Sequence, residues 1–145
     1  LVTVVERKSL FTLCTAVPQN TAESVQQAII RLLAPVAHQV KTLTFDNGTE
    51  FMQHEKMAAA LKATTYFATP YASWERGINE NTNGLLRQFF PKRTNFKTVT
   101  PAQIEQALFL LNNRPRKTRA YKTPNELFAK TFVPLIQSAE IALMT

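Results

Sequence analysis

The chain has 145 residues, 45% of them hydrophobic, and a formal net charge of +7. That length and apolar content suit one globular domain with a single core and argue against a disordered chain. No apolar run approaches the roughly 20 residues of a membrane span and no charged-then-apolar signal segment opens the chain, so a cytosolic protein without a membrane partner is expected.

The charge is unevenly placed. Residues 1–80 hold seven basic and seven acidic residues, whereas residues 81–145 hold ten basic and three acidic ones, so the whole excess lies downstream of Glu80. A polyanionic partner is the natural expectation. The one cysteine, Cys14, lies in the apolar run Leu10 to Val17 with no second cysteine to pair with, which predicts a buried, inert thiol.

In chain order, Leu1 to Val5 and Leu10 to Val17 are β-prone and flank Glu6-Arg7-Lys8-Ser9, which predicts an antiparallel hairpin. Asn20 with Glu23 resembles a capping box, followed by Val25, Ala28, Ile29 and Leu32 at helical spacing until Pro35. Val40 to Phe45 reads as a strand, His54 to Leu61 as a short helix and Thr64 to Ala68 as another strand. Thr69 to Gly77 lacks periodicity and reads as a surface loop, a usual carrier of function.

From Ile78 onward Ile78, Leu85, Leu86 and Phe89 form an apolar helical stripe, while Glu80, Asn83 and Arg87 share the other face. Thr100, Pro101 and Gln103 start a further helix that buries Ile104, Ala107, Leu108 and Leu111, and Thr123-Pro124-Asn125-Glu126 repeats the start signal. Residues 131–145 form an apolar tail without pattern. The expected order is β-β-α-β-α-β followed by helices, with residues 1–130 as one domain.

Asp46 is the only aspartate in the chain, and it closes the β-prone run Lys41 to Phe45 immediately before Asn47-Gly48. A carboxylate at a strand end that turns at Asn-Gly is presented at a sheet edge, where oxygen ligands can hold a hard divalent cation. Glu80 follows after 33 intervening residues. Arg114, Arg116, Lys117, Arg119 and Lys122 crowd five cations into nine residues, a candidate phosphate-contacting loop. Tyr71 and Trp74 are candidates to stack on unpaired bases, and Asn47, Asn83 and Arg87 to contact DNA beside the carboxylates.

Three stretches, Thr44 to Phe51, Pro70 to Gly84 and Leu111 to Lys117, resemble the catalytic core of a retroviral-integrase-type transposase of the insertion-sequence-thirty family. The resemblance covers about Leu1 to Phe128. It implies an α/β, ribonuclease-H-like mixed sheet flanked by helices, and a triad of two aspartates and a glutamate holding two Mg²⁺ or Mn²⁺ ions. Asp46 then takes the second triad position and Glu80 the third, both as catalytic residues and metal ligands. The first aspartate would lie on the central strand, which is expected upstream of Leu1, so the chain reads as a truncated core inactive alone. The family implies DNA cleavage and strand transfer in a bacterial, nucleoid-associated cytoplasmic setting, with transposon ends and target DNA as partners and a homo-oligomer as the active assembly. The alternatives are a hydrolysing nuclease on the same fold and a non-catalytic DNA-binding or dimerisation remnant.

Overall fold

The computed structural model describes residues 1–19, 21–69 and 73–131, with residues 73–76, 130 and 131 described by backbone alone. The predicted hairpin forms from β1 (Val2–Val5) and β2 (Thr12–Thr15), antiparallel with Val2 opposite Thr15 and Val5 opposite Thr12. Its turn is organised by one carboxylate. Glu6 accepts from the backbone N–H groups of Lys8 (2.9 Å) and Ser9 (2.6 Å) and from the Ser9 hydroxyl (2.6 Å). Burial alone would raise its pKa, but the Ser9 and Lys8 bonds and the Lys8 charge outweigh burial and hold it below the usual carboxylate value.

Helix α1 (Ala22–Leu33) buries Val25, Ala28, Ile29 and Leu33. Its cap is Thr21, whose hydroxyl accepts from the Ser24 N–H (3.2 Å), and not Asn20, which lies outside the described residues. The Thr21 hydroxyl thereby satisfies one of the unpaired N–H groups of the first helical turn, that of Ser24 in place of Glu23. Pro35 follows the helix, whose backbone tightens into a 3₁₀ segment over Ala34–Gln39.

Strand β3 (Thr42–Phe45) alternates exposed Thr with buried Leu43 and Phe45, and runs parallel to β4 (Thr64–Phe67) in the register Thr42 to Thr64 through Phe45 to Phe67. Between them lies α2 (His54–Leu61), with Met57 and Leu61 buried. The remaining helices are α3 (Ser73–Leu86), α4 (Pro101–Asn112) and α5 (Pro124–Thr131). Thr100 and Gln103 form the complete capping box of α4, and Thr123 and Glu126 exchange the same two bonds ahead of α5.

Two expectations need correction. Residues 73–77, expected in a loop, are helical, so α3 begins well before Ile78. The missing side chain of Gly77 costs roughly 1 kcal/mol in a helix, too little to stop one with no proline between Ser73 and Leu86. Phe89 lies beyond the end of α3 and is 38% exposed, so the buried stripe ends at Leu86. The tail over 132–145 lies outside the described residues.

Among the described residues the strands form two separate pairs, β1 with β2 and β3 with β4. One core joins them. Val25, Ile29 and Leu33 of α1 cluster with Leu43, Phe45, Met57, Leu61 and Phe128, and Val2, Val4, Phe11 and Leu13 of the hairpin region pack against that cluster. Phe11 stacks on Phe128 with ring centroids 4.0 Å apart, which docks α5 onto the hairpin.

A smaller cluster of Cys14, Leu86, Ile104 and Leu111 fixes α3 and α4 to β2. Here Asn112, a buried polar residue, behaves like a neighbouring strand. Its Oδ1 accepts from the Thr12 N–H and its Nδ2 donates to the Thr12 carbonyl, both at 2.9 Å, so the outer edge of β2 is paired by a side chain. Leaving those two buried backbone groups unpaired would cost roughly 1–3 kcal/mol each.

Candidate active site

Because β3 and β4 are parallel, both chains leave the sheet at the same end. Asp46 follows β3 there, and ligand sites in open α/β sheets sit beyond such carboxyl ends. Asp46 is exposed, and its Oδ1 accepts from the Gly48 N–H at 3.3 Å, a short Asx-type turn. The turn itself differs from expectation. Gly48 has φ −71° and ψ 142°, so Asn47-Gly48 makes no left-handed hairpin turn; the chain instead enters a 3₁₀ turn over Thr49–Phe51.

Asn47 latches the two strand exits together. Its Nδ2 donates to the Ala68 carbonyl (3.0 Å), one step past the Ala68 N–H to Phe45 carbonyl bond (2.8 Å) that closes the parallel pair. Beside it an open hollow of about 430 Å³ is lined by Asn47, Gly48, Met52, His54 and Phe67. His54 is oriented by its Nδ1 contact with the Thr65 hydroxyl (3.1 Å) and lies edge-on to the Phe67 ring, with centroids 4.8 Å apart. The Met52 and Phe67 side chains are exposed in this hollow, which sequence periodicity alone did not single out.

Glu80 lies about two turns into α3 and is exposed, as are Asn83 and Arg87; the last of these sits just past the helix end. The buried face of this helix is marked by Thr82 and Leu86. Tyr71 lies outside the described residues, and of Trp74 only its place in α3 is described. Among the described residues no three His, Cys, Asp or Glu side chains gather closely enough to hold a metal ion.

The five clustered cations divide into two kinds. Arg119 is spent on backbone: Nε donates to the Lys8 carbonyl (2.6 Å), Nη2 to the Arg7 carbonyl (3.1 Å) and Nη1 to the Thr118 carbonyl (3.0 Å). Arg116 is half-buried, donates to the Leu111 carbonyl (3.1 Å), and has its pKa lowered by burial and by the neighbouring Arg114 charge. Lys117, Lys122 and Arg114 are exposed.

Comparison with known proteins places this arrangement. No family model matches the chain. It is 50% identical over 104 residues to the transposase for insertion sequence element IS4351 of Bacteroides fragilis, an alignment covering 72% of this chain and 32% of that protein. It is 38% identical over 131 residues to the transposase InsI for IS30A of Escherichia coli K12, covering 90% of this chain and 34% of that protein. These curated relatives are IS30-family transposases, 38–50% identical to the chain. It spans about a third of the length of the curated relatives it matches.

The fold agrees with that kinship. The catalytic core domain of BIV integrase superposes with a TM-score of 0.68 at 26% identity, covering 89% of this chain and 84% of that one. A chain of the simian T-cell lymphotropic virus intasome, in complex with PP2A regulatory subunit B56 gamma, superposes with a TM-score of 0.70 at 19% identity, and covers 86% of this chain. The chain therefore has the ribonuclease-H-like fold of integrase catalytic cores. No helix of the described residues is long and apolar enough to cross a membrane.

Proposed function

We propose that this chain is part of the catalytic core of a DNA transposase that cuts DNA to free a 3′-hydroxyl and joins that hydroxyl to target DNA, with Asp46 and Glu80 as metal-holding carboxylates. The observation that carries the reading is the kinship with transposases over nine-tenths of the chain, joined to an exposed Asp46 at the carboxyl end of a parallel strand pair. The donor chemistry suits the ion. Mg²⁺ is commonly held by one or two carboxylates, with waters and substrate phosphates completing its octahedron. When bound, a pair of such ions polarises the scissile phosphate and stabilises the attacking and leaving oxygens.

The triad that the resemblance implies needs one carboxylate more than Asp46 and Glu80. We infer that the whole transposase supplies a further aspartate on a strand that pairs with the edges left open by β1 and β3, and that the 145 residues alone carry out no strand transfer. DNA ends and target DNA are the proposed substrates, in a bacterial cytoplasmic setting and in an assembly of more than one copy. Asn83, Arg87, Asn47, Tyr71 and Trp74 are the proposed contacts to the strands near the carboxylates.

The test uses the full-length transposase with labelled element-end DNA and Mg²⁺. Nicked ends and joined products are expected, and Asp46→Asn or Glu80→Gln should each lower both by more than about 100-fold, the loss of roughly 3 kcal/mol of transition-state stabilisation. Cleavage without joining would establish the hydrolysing nuclease instead. Undiminished joining by Asp46→Asn would refute the assignment of that carboxylate.

A further inference from the structure

The hairpin turn and the basic loop are more than a hundred residues apart in sequence, yet one guanidinium joins them. Arg119 donates to the carbonyls of both Arg7 and Lys8, so the backbone of the β1–β2 turn lies directly against the loop over 116–122. The loop is itself closed on its own backbone. The Arg116 N–H donates to the Lys122 carbonyl (3.0 Å), the Tyr121 N–H to the Arg116 carbonyl (3.0 Å) and the Lys122 N–H to the Arg119 carbonyl (3.1 Å). Ala120 and Tyr121, both in the left-handed region at φ 52° and 61°, make the reversal that brings Lys122 back beside Arg116.

With the carbonyls of Arg7 and Lys8 held by Arg119, their side chains remain exposed, as do those of Lys117 and Lys122. The carboxylate within the turn is already engaged: Glu6 takes three bonds from Lys8 and Ser9. Glu126 likewise accepts from the Thr123 N–H at the start of α5. Four exposed cations from two distant segments are thus gathered on a surface whose rigid part is a fifth cation, Arg119.

We propose that Arg7 and Lys8 of the hairpin turn, together with Lys117 and Lys122, form one binding surface for the phosphate backbone of duplex DNA, with Arg119 as the positioning residue that clamps its two halves. The inference rests on the DNA-acting reading of this chain and adds to it a turn that carries no acid-metal chemistry. Backbone phosphates are the fitting ligand because they are recognised by point charges and need no base-specific geometry. Lys8 and Arg7 read as ordinary solvated turn residues in the sequence. Only the clamp makes them part of a larger surface.

The experiment measures binding of the unaltered 145-residue chain and its variants to a short DNA duplex of arbitrary sequence, between about 50 and 200 mM salt. Each phosphate neutralised contributes about 0.9 to the slope of log affinity against log salt. Arg7→Gln with Lys8→Gln should therefore flatten the slope by about 2, and Lys117→Gln with Lys122→Gln by a similar amount. Lys41→Gln with Lys62→Gln, at the amino ends of β3 and β4, removes the same charge and should leave the slope nearly unchanged. Arg119→Lys keeps the charge but cannot bridge both carbonyls, and in that background the Arg7 and Lys8 substitutions should lose most of their effect.

A slope for the Arg7/Lys8 variant equal to that of the Lys41/Lys62 control would overturn the turn's role while leaving DNA binding intact. An unchanged slope in Arg119→Lys, with full sensitivity to the Arg7 and Lys8 changes, would overturn the clamp. Absence of any salt-dependent duplex binding by the unaltered chain would overturn this inference, whereas its parent reading falls only if the full-length transposase neither nicks nor joins element-end DNA.

Discussion

Two regions of the molecule are built on opposite plans. At the hairpin end, apart from the exposed Arg7 and Lys8 side chains, polar groups are consumed by the fold: Glu6 ties its own turn, Arg119 spends its fork on backbone carbonyls, and Asn112 pairs Thr12 of β2. At the carboxyl end of β3 and β4, Asp46 makes one long bond to Gly48 and a hollow opens between Asn47, His54 and Phe67, and on α3 the Glu80 side chain is exposed. Side chains that hold a fold together are already satisfied by the protein. Those available to a ligand are not, and the contrast separates scaffold from site within one set of charged residues.

The sharpest way to break this contrast is at Asn112. Asn112→Ala strips two buried backbone groups of their partners and should cost about 3 kcal/mol, read as a lowered urea midpoint with an unchanged m-value. A loss below about 0.5 kcal/mol would mean that the amide is replaceable by water and the hairpin end is less tightly built than its bonds suggest.

Glu6→Gln comes next, at about 1 kcal/mol near neutral pH, because a half-exposed carboxylate with three donors is worth less than a buried one. The sign follows from its lowered pKa. The contribution is fully present above the unfolded-state value of 4.5 and disappears as the pH falls through the lower folded-state value, so the unaltered chain and Glu6→Gln should converge in stability on acidification. Stability curves that stay parallel down to acid pH would remove the turn carboxylate from the scaffold. Asn47→Ala should lose a comparable amount, about 1 kcal/mol, since its amide latches the two strand exits together.

The smallest effects belong to the open end. Asp46→Asn should change unfolding free energy by less than about 0.5 kcal/mol, because the residue is exposed and its single bond is replaceable. A large destabilisation would recast Asp46 as scaffold. The Cys14 thiol is a control for core integrity: burial pushes its pKa up to about 11, so it should resist alkylation at neutral pH until the chain unfolds. Rapid native-state labelling would show that the cluster around Leu86, Ile104 and Leu111 opens readily.

Much of the fold was legible because its signals are local. Alternating Thr and apolar residues marked β3, helical spacing marked α1, and Thr-Pro starts marked α4 and α5. The start of α3 was misread because the stretch Ser73 to Gly77 has no apolar period, although nothing in it stops a helix. The site was legible only in part. Asp46 stands out as the sole aspartate at a strand end, whereas the division of labour among the basic residues is invisible in one dimension. Nothing near Arg119 in sequence announces the Lys8 carbonyl, and nothing near Asn112 announces Thr12.

The amide of Asn112 also sets a limit to growth. By occupying the hydrogen-bonding groups of Thr12 it stops the ladder on that flank and denies strangers a template for edge-to-edge association. A single side chain, 100 residues away in the sequence, thus sets where this edge of the hairpin stops.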